Sequence, residues 1–249
     1  KGNGKTIFIT GPNANNQTTL GDWVSPQPEE NVVTMLEGIR SIGEASGYNV
    51  KYVDSGDRSK EITTKKIDKA VAHANDSDIV VLVLGENSFR HDWKRKTTGE
   101  NVDRATLKLS GYQMKLADKM LALGKPVVVV YVSGSPIAEP WLEQRAAAVV
   151  NTWESGAFAG QATAEILFGI TNPSGKLPVT IPRSVGQLQM VYNHKPTTYI
   201  HKYNTEKKVP LHPFGFGLSY SKFKFSEPTV SKASLSGTDD EILVNVTVQ

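Results

Sequence analysis

The stretch "TTGENVDRATLKLSGYQ", Thr97 to Gln113, places one glutamate, Glu100, just after a turn-prone Thr-Thr-Gly, with Asp103 and Arg104 behind it. A long apolar run precedes the stretch and a helical pattern follows it. Glu100 therefore belongs to a strand-to-helix loop. That loop is about 20 residues long, against a usual 2–6, and long loops in compact domains tend to be functional or disordered. A loop carboxyl can move a proton if burial or a neighbouring carboxylate lets it hold one near neutral pH. Glu86 and Asp92 share the loop and could supply that field, while Arg104 would oppose it. Spacing alone equally allows a solvated loop residue.

The same loop opens with "LGENSFRHDW", Leu84 to Trp93. Glu86 could touch a ligand or cap loop backbone. Phe89 and Trp93 are aromatics in a polar setting, suited to the apolar wall of a sugar or ring site, or simply to anchoring the loop. Further on, "WESGAFAGQATAEILFG" (Trp153 to Gly169) runs from a strand end into a helix. Gly156 and Gly160 there allow close backbone approach. Tight helix–sheet packing is the preferred reading, an anion or hydroxyl site at the helix start the other. Glu154 is a weak ligand candidate.

Other motifs fail. "GITNPSGKL" has five residues between its glycines where a phosphate loop has four, and Leu177 where Ser or Thr belongs. The five histidines (His73, His91, His194, His201 and His212) show no metal-ligand spacing. Asn16, Asn75 and Asn245 head N-x-Ser/Thr triplets at a frequency chance explains.

The elements that would position these residues alternate. "TIFIT", "NVKYVD", "IVVLVL", "VVVVYV" and "AAVVNTW" read as strands, and the middle ones lack the polar alternation of a half-exposed strand. Between them, Glu29–Ser46, Glu61–Ala74, Gly111–Leu123, Pro136–Gln144 and Ala157–Phe168 read as helices. This predicts an α/β fold, a mostly parallel six-stranded sheet with helices on both faces. The sixth strand is "LPVTIP", at an edge because proline cannot donate to a ladder. Residues from about 185 to 209 read as a surface loop. From Leu218 strands alternate without helices, and "EILVNVTV" has a period of two, predicting a partial all-β segment.

With 249 residues, 39% of them hydrophobic, the chain can bury a large core without staples. It has no cysteine, which excludes disulfides, thiolate metal sites and thiol nucleophiles. The net charge of +3 is scattered; its densest run, Lys94-Arg95-Lys96, reads as a solvated loop tip, and no basic stripe with interleaved aromatics marks a nucleic-acid binder. No apolar stretch approaches a membrane span. The chain starts at Lys1 and stops inside a strand pattern, so a piece of a longer protein is expected.

Three blocks resemble the C-terminal α/β-sandwich domain of glycoside hydrolase family 3, the β-glucosidase family. They are "LGEN" with "TGENVDRATLKLSGYQ", "VVNTWESGAFAGQATAEILFGITNPSGKLPVTIPRSVGQLQ", and "PLHPFGFGLSYSKFKFS". The resemblance spans roughly residues 6–226, and the second and third blocks are long and specific. It implies a flavodoxin-like sandwich over residues 1–217 and the start of a fibronectin type III-like domain over 218–249. It also implies a retaining β-glucosidase in which Glu100 matches the general acid/base and the nucleophile aspartate sits on a preceding (β/α)8 barrel. The expected site is Glu100 as acid/base, with Glu86, Phe89, Trp93 and Arg104 against a β-linked glucoside or oligosaccharide, and Glu86 as the fallback acid. No metal or cofactor is called for. Ser110 stands where the family usually has proline, and "ENVDR" departs from the commoner "EAxxR". Residues Asn193 to Tyr203 are similar to a family loop expected near the site mouth or domain interface. The resemblance favours a periplasmic or extracellular enzyme and leaves a homodimer open. The competing reading is a non-catalytic carbohydrate-binding or interaction module on the same fold. A phosphate- or flavin-binding flavodoxin-like domain fails for want of a phosphate loop.

Overall fold

The computed structural model describes residues 2–193 and 203–249. The expected loop around His194 and His201 therefore lies mostly outside the described residues. Five strands, β1 (Thr6–Thr10), β2 (Asn49–Tyr52), β3 (Ile79–Gly85), β4 (Val127–Val132) and β5 (Ala148–Asn151), form one parallel sheet in the order β2-β1-β3-β4-β5.

Both faces of the central strands β3 and β4 are buried, which explains their unbroken apolar runs. Along β3 and β4, Val80, Leu82, Leu84, Val127, Val129 and Tyr131 face one layer, packing with Ile67, Leu116 and Met120. The alternate residues Val81, Val83, Val130 and Val132 face the other, packing with Met35, Ile39 and Ala164. Burying each such aliphatic side chain contributes about 2 kcal/mol. The helices that supply these partners are α1 (Met35–Ala45), α2 (Thr64–Ala74), α3 (Gln113–Leu121), α4 (Pro140–Glu143) and α5 (Ala159–Leu167). α1 and α5 cover one face; α2, α3 and Leu142 of α4 cover the other.

α1 starts later than its apolar pattern suggests. A single 3-10 turn covers Glu29–Asn31, and the chain extends before Thr34 caps the helix. Thr34 Oγ1 accepts from Glu37 N (3.2 Å) and Glu37 Oε2 accepts from Thr34 N (2.8 Å), so two free helix-start donors are satisfied at once. α1 meets α5 through two glycines. A Cβ on Gly38 would lie 2.1 Å from the Gly160 carbonyl oxygen, and one on Gly160 would lie 1.9 Å from that of Thr34. The expected tight approach at Gly160 is thus helix to helix rather than helix to sheet.

The sheet has five strands rather than the expected six. "LPVTIP" contributes one antiparallel bridge, Ile181 to His212, because Pro178 and Pro182 on either side lack the N–H a ladder requires. After the sheet, β6 (Thr229–Val230) pairs antiparallel with β7 (Val244–Asn245), and Phe225 bridges Val248. Pairing within "EILVNVTV" is short, and Leu243, Val244, Val246 and Val248 are exposed. Among the described residues no helix is long and apolar enough to cross a membrane.

Candidate active site

Strand order reverses between β1 and β3, and this opens a crevice at their carboxyl ends, where α/β sheets bind ligands. Two loops meet there: residues 11–34 after β1, and residues 86–112 after β3. The second carries every expected site residue.

Glu100 lies on the solvent side of this meeting point, its side chain 46% exposed. Its backbone turns sharply: the flanking Gly99 and Asn101 have φ of 94° and 59°. Its N–H donates to Asp22 Oδ2 (2.7 Å), and its carbonyl accepts from Lys96 Nζ (3.1 Å). Its carboxylate pairs with Arg90, whose guanidinium stacks 3.6 Å from the ring centroid of Trp23. Trp23 is exposed, as is Trp93. The ledge around Glu100 therefore presents one carboxylate, one guanidinium and two indoles to solvent.

The other expected residues are arranged differently. Glu86 is fully buried; Oε1 accepts from Ser110 N and Oε2 from Ser110 Oγ, each at 2.8 Å. Arg104 turns inward to Glu86, with Nη2 3.6 Å from Oε1, and also donates to Ser135 Oγ and the Lys108 carbonyl. The structure thus pairs Glu86 with Arg104 and brings neither to Glu100. Phe89 is buried, its ring 5.8 Å from that of His91. Asp92 accepts from Arg58 Nε (2.5 Å), Asn87 Nδ2 (3.1 Å) and Arg95 Nε (2.7 Å), which ties the loop to the segment after β2. Gln113, at the start of α3, closes the loop's base: its amide donates to the Gly85 carbonyl and accepts from Gly85 N, each at 2.8 Å.

The basic run Lys94-Arg95-Lys96 is not a solvated tip. Lys94 is exposed and the Arg95 side chain is 43% exposed, but neither Arg95 nor Lys96 is left to solvent alone. Arg95 pairs with Asp92 and Glu61, and the Lys96 side chain is wholly buried against Asp22. Neighbouring carboxylates decide the matter, since a lysine is buried only when its ammonium is matched. The weak candidate Glu154 comes up beside both loops, next to Gly21, and accepts from Ser88 Oγ. Burial pushes its carboxyl above the ordinary range, the Ser88 hydroxyl opposes this, and Asp22 nearby adds to it.

Sequence reasoning missed Asp22, Trp23, Arg90 and Lys96. Asp22 lies 78 residues from Glu100, in a loop with no periodicity. The signal that could have found it is topological: the loop after β1 must face the loop after β3 once strand order reverses there. An apolar cavity of about 240 Å³ lies at the opposite end of the sheet, among Ile7, Ile39, Ile79 and Phe168, and offers no carboxylate.

Known proteins give the arrangement a context. The chain is 34% identical to a periplasmic beta-glucosidase of Salmonella typhimurium over 98% of its own length and 34% of that protein's. It is 35% identical to a beta-xylosidase of Formosa agariphila, over 93% of the chain and 32% of the relative. It superposes on the crystal structure of a beta-glucosidase from Listeria innocua in complex with glucose, with a TM-score of 0.83 at 30% identity, over 99% of this chain and 34% of that one. The chain thus spans about a third of the length of the curated relatives it matches. Residues 1–220 match the model of the glycosyl hydrolase family 3 C-terminal domain, and the chain belongs to that family.

Proposed function

We propose that this chain supplies the general acid/base of a retaining β-glycosidase acting on a β-linked glucoside or xyloside. The nucleophile is then an aspartate on a (β/α)8 barrel of the same polypeptide. The carrying observation is Glu100: a solvent-facing carboxyl at the carboxyl-end crevice whose backbone is fixed through both its N–H and its carbonyl. β-Glucosidases and a β-xylosidase among the relatives support the substrate class.

In this reading Glu100 first donates a proton to the leaving glycosidic oxygen. It then takes one from the water that releases the sugar. Retention sets the partner carboxylate about 5–5.5 Å away. An open ledge suits such a half-site, because the other wall comes from the barrel. Arg90 must yield the Glu100 oxygen it holds before a proton can sit there. Trp23 and Trp93 offer faces on which a sugar ring or aryl group can stack. Glu86, Phe89 and Arg104 act in this scheme through the loop, by holding its shape. Residues 218–249 would begin a fibronectin type III-like domain, an assignment supported by the antiparallel β6–β7 pair. Without the covalent step the chain alone should show negligible hydrolysis.

The test joins the barrel to this chain and compares the parent with Glu100→Gln on two substrates, an alkyl and a dinitrophenyl β-glucoside. An acid/base role predicts a loss of 10²–10⁴-fold on the alkyl glycoside, and a smaller loss where the leaving group needs no proton. A carbohydrate-binding module, the reading that the two exposed indoles favour on their own, predicts sugar binding indifferent to Glu100→Gln and no turnover to lose.

A further inference from the structure

We infer that Asp22 is a positioning residue for the Glu100 carboxyl, acting with Lys96 across the crevice between the two loops. The inference rests on the acid/base reading of Glu100.

Asp22 and Lys96 grip Glu100 by both of its backbone polar groups. Asp22 Oδ2 takes the Glu100 N–H at 2.7 Å, and Lys96 Nζ gives to the Glu100 carbonyl at 3.1 Å. The two side chains also bind each other, with Lys96 Nζ 3.0 Å from each Asp22 carboxylate oxygen. An ammonium has three protons, and these three contacts use them all. The Lys96 side chain is fully buried and that of Asp22 is 12% exposed, so salt screens the clamp less than it would an exposed pair. Asp22 also lies 3.5 Å from Arg90 Nε, and its neighbour Trp23 carries the Arg90 guanidinium. One dipeptide on the β1 side therefore holds both the acid's backbone and its side-chain partner.

The fit is closed to adjustment. At Gly99, φ is +94°, and a Cβ there would lie 2.7 Å from Asp22 Oδ2 and 3.0 Å from Ser88 Cβ. Burial pushes the Asp22 carboxyl up, but the Lys96 ammonium, the Glu100 N–H and Arg90 outweigh it and hold the group below the usual carboxylate range. Asp22 thus stays ionised at the pH at which glycosides are assayed. The Asp22 side chain is itself 12% exposed against 46% for Glu100 and is taken up by Lys96 and the Glu100 N–H, so its role is to place that carboxyl. A misplacement of about 1 Å is enough to cost roughly 10²-fold in rate.

The experiment uses the polypeptide with its barrel and four variants: Asp22→Ala, Asp22→Asn, Glu100→Gln and the double Asp22→Ala/Glu100→Gln. Each is assayed on the alkyl and dinitrophenyl glucosides, with thermal unfolding in parallel. Positioning predicts a fall in kcat/KM of about 10–100-fold on the alkyl glucoside for Asp22→Ala, a fall of only a few-fold on the dinitrophenyl glucoside, and a double variant no slower than Glu100→Gln alone. Asp22→Asn, whose amide oxygen still accepts the Glu100 N–H, should recover part of the loss. Equal losses on both substrates, or losses that multiply in the double variant, would make Asp22 a fold element and overturn the inference. So would failure of both Asp22 variants to fold. If Glu100→Gln itself shows no dependence on leaving group, the acid/base reading has failed and the inference falls with it, an outcome distinct from the others.

Discussion

Ser110 binds Glu86 twice. Its N–H donates to Oε1 and its hydroxyl to Oε2, each at 2.8 Å, inside a pocket that leaves the Glu86 side chain no contact with solvent. The hydroxyl also lies 2.7 Å from Ser59 Oγ, so the tether continues to the segment after β2. A proline at position 110 could make neither bond to Glu86, which gives the serine a structural meaning that its sequence alone did not suggest.

Glu86→Gln should therefore act on stability. Glutamine can keep both Ser110 contacts, its oxygen accepting from the Ser110 N–H and its amide donating to Ser110 Oγ, but the Arg104 guanidinium loses its buried counter-charge. A loss of about 2–4 kcal/mol is expected in urea unfolding of this chain. With the proposed barrel joined to the chain, hydrolysis measured below the variant's unfolding temperature should keep the parent's ratio of rates on alkyl and dinitrophenyl glucosides. A changed ratio with unchanged stability would instead make Glu86 the acid.

Arg58 and Asp92 support a second case. Arg58 is buried, its Nε 2.5 Å from Asp92 Oδ2, and Asp92 is shared with Asn87 and Arg95. Arg58→Met keeps much of the apolar stem but strips a buried carboxylate of its closest cation. The expected cost is about 3 kcal/mol. The 86–112 loop should also become the first site of limited proteolysis. A variant as stable and as resistant as the parent would show that Arg95 and Asn87 secure Asp92 without Arg58.

What the sequence made legible follows from how each feature is encoded. β3 and β4 were readable because both of their faces are buried, so every position is apolar and no polar phase confuses the count. The Glu100 loop was readable from its length. Asp22 was not, because a contact spanning 78 residues leaves no local trace in a loop. Lys96 misled for a related reason: a charge run is usually solvated, and only the carboxylate opposite it reverses that expectation. Glu86 and Arg104 are two residues of the 86–112 loop with opposite charge, and sequence could not say that they would turn toward each other. "EILVNVTV" had the right period, and it does pair antiparallel, through Val244–Asn245 and Val248.

Glu139 gives the protein a pH dependence whose sign can be worked out. Its side chain is buried beside α4, with Oε1 accepting from Leu109 N at 2.8 Å. Burial pushes its carboxyl above the ordinary range; the Leu109 N–H and Lys108 oppose this, Glu143 adds to it, and Arg104 opposes it. A raised folded-state pKa means that the folded chain keeps its proton after the unfolded chain has lost it. The associated stability is fully present below about pH 4.3, the ordinary glutamate value, and is lost as pH rises through the folded pKa. Glu154 shifts in the same direction and adds to the parent's decline. Glu139→Gln removes one titrating group while its amide oxygen can still accept the Leu109 N–H. The melting temperature of the variant minus that of the parent should therefore increase between pH 4 and pH 7.5, and the Glu154 contribution cancels in that difference. A difference that stays constant across the range would show that Glu139 is ionised in the folded chain as readily as in the unfolded one.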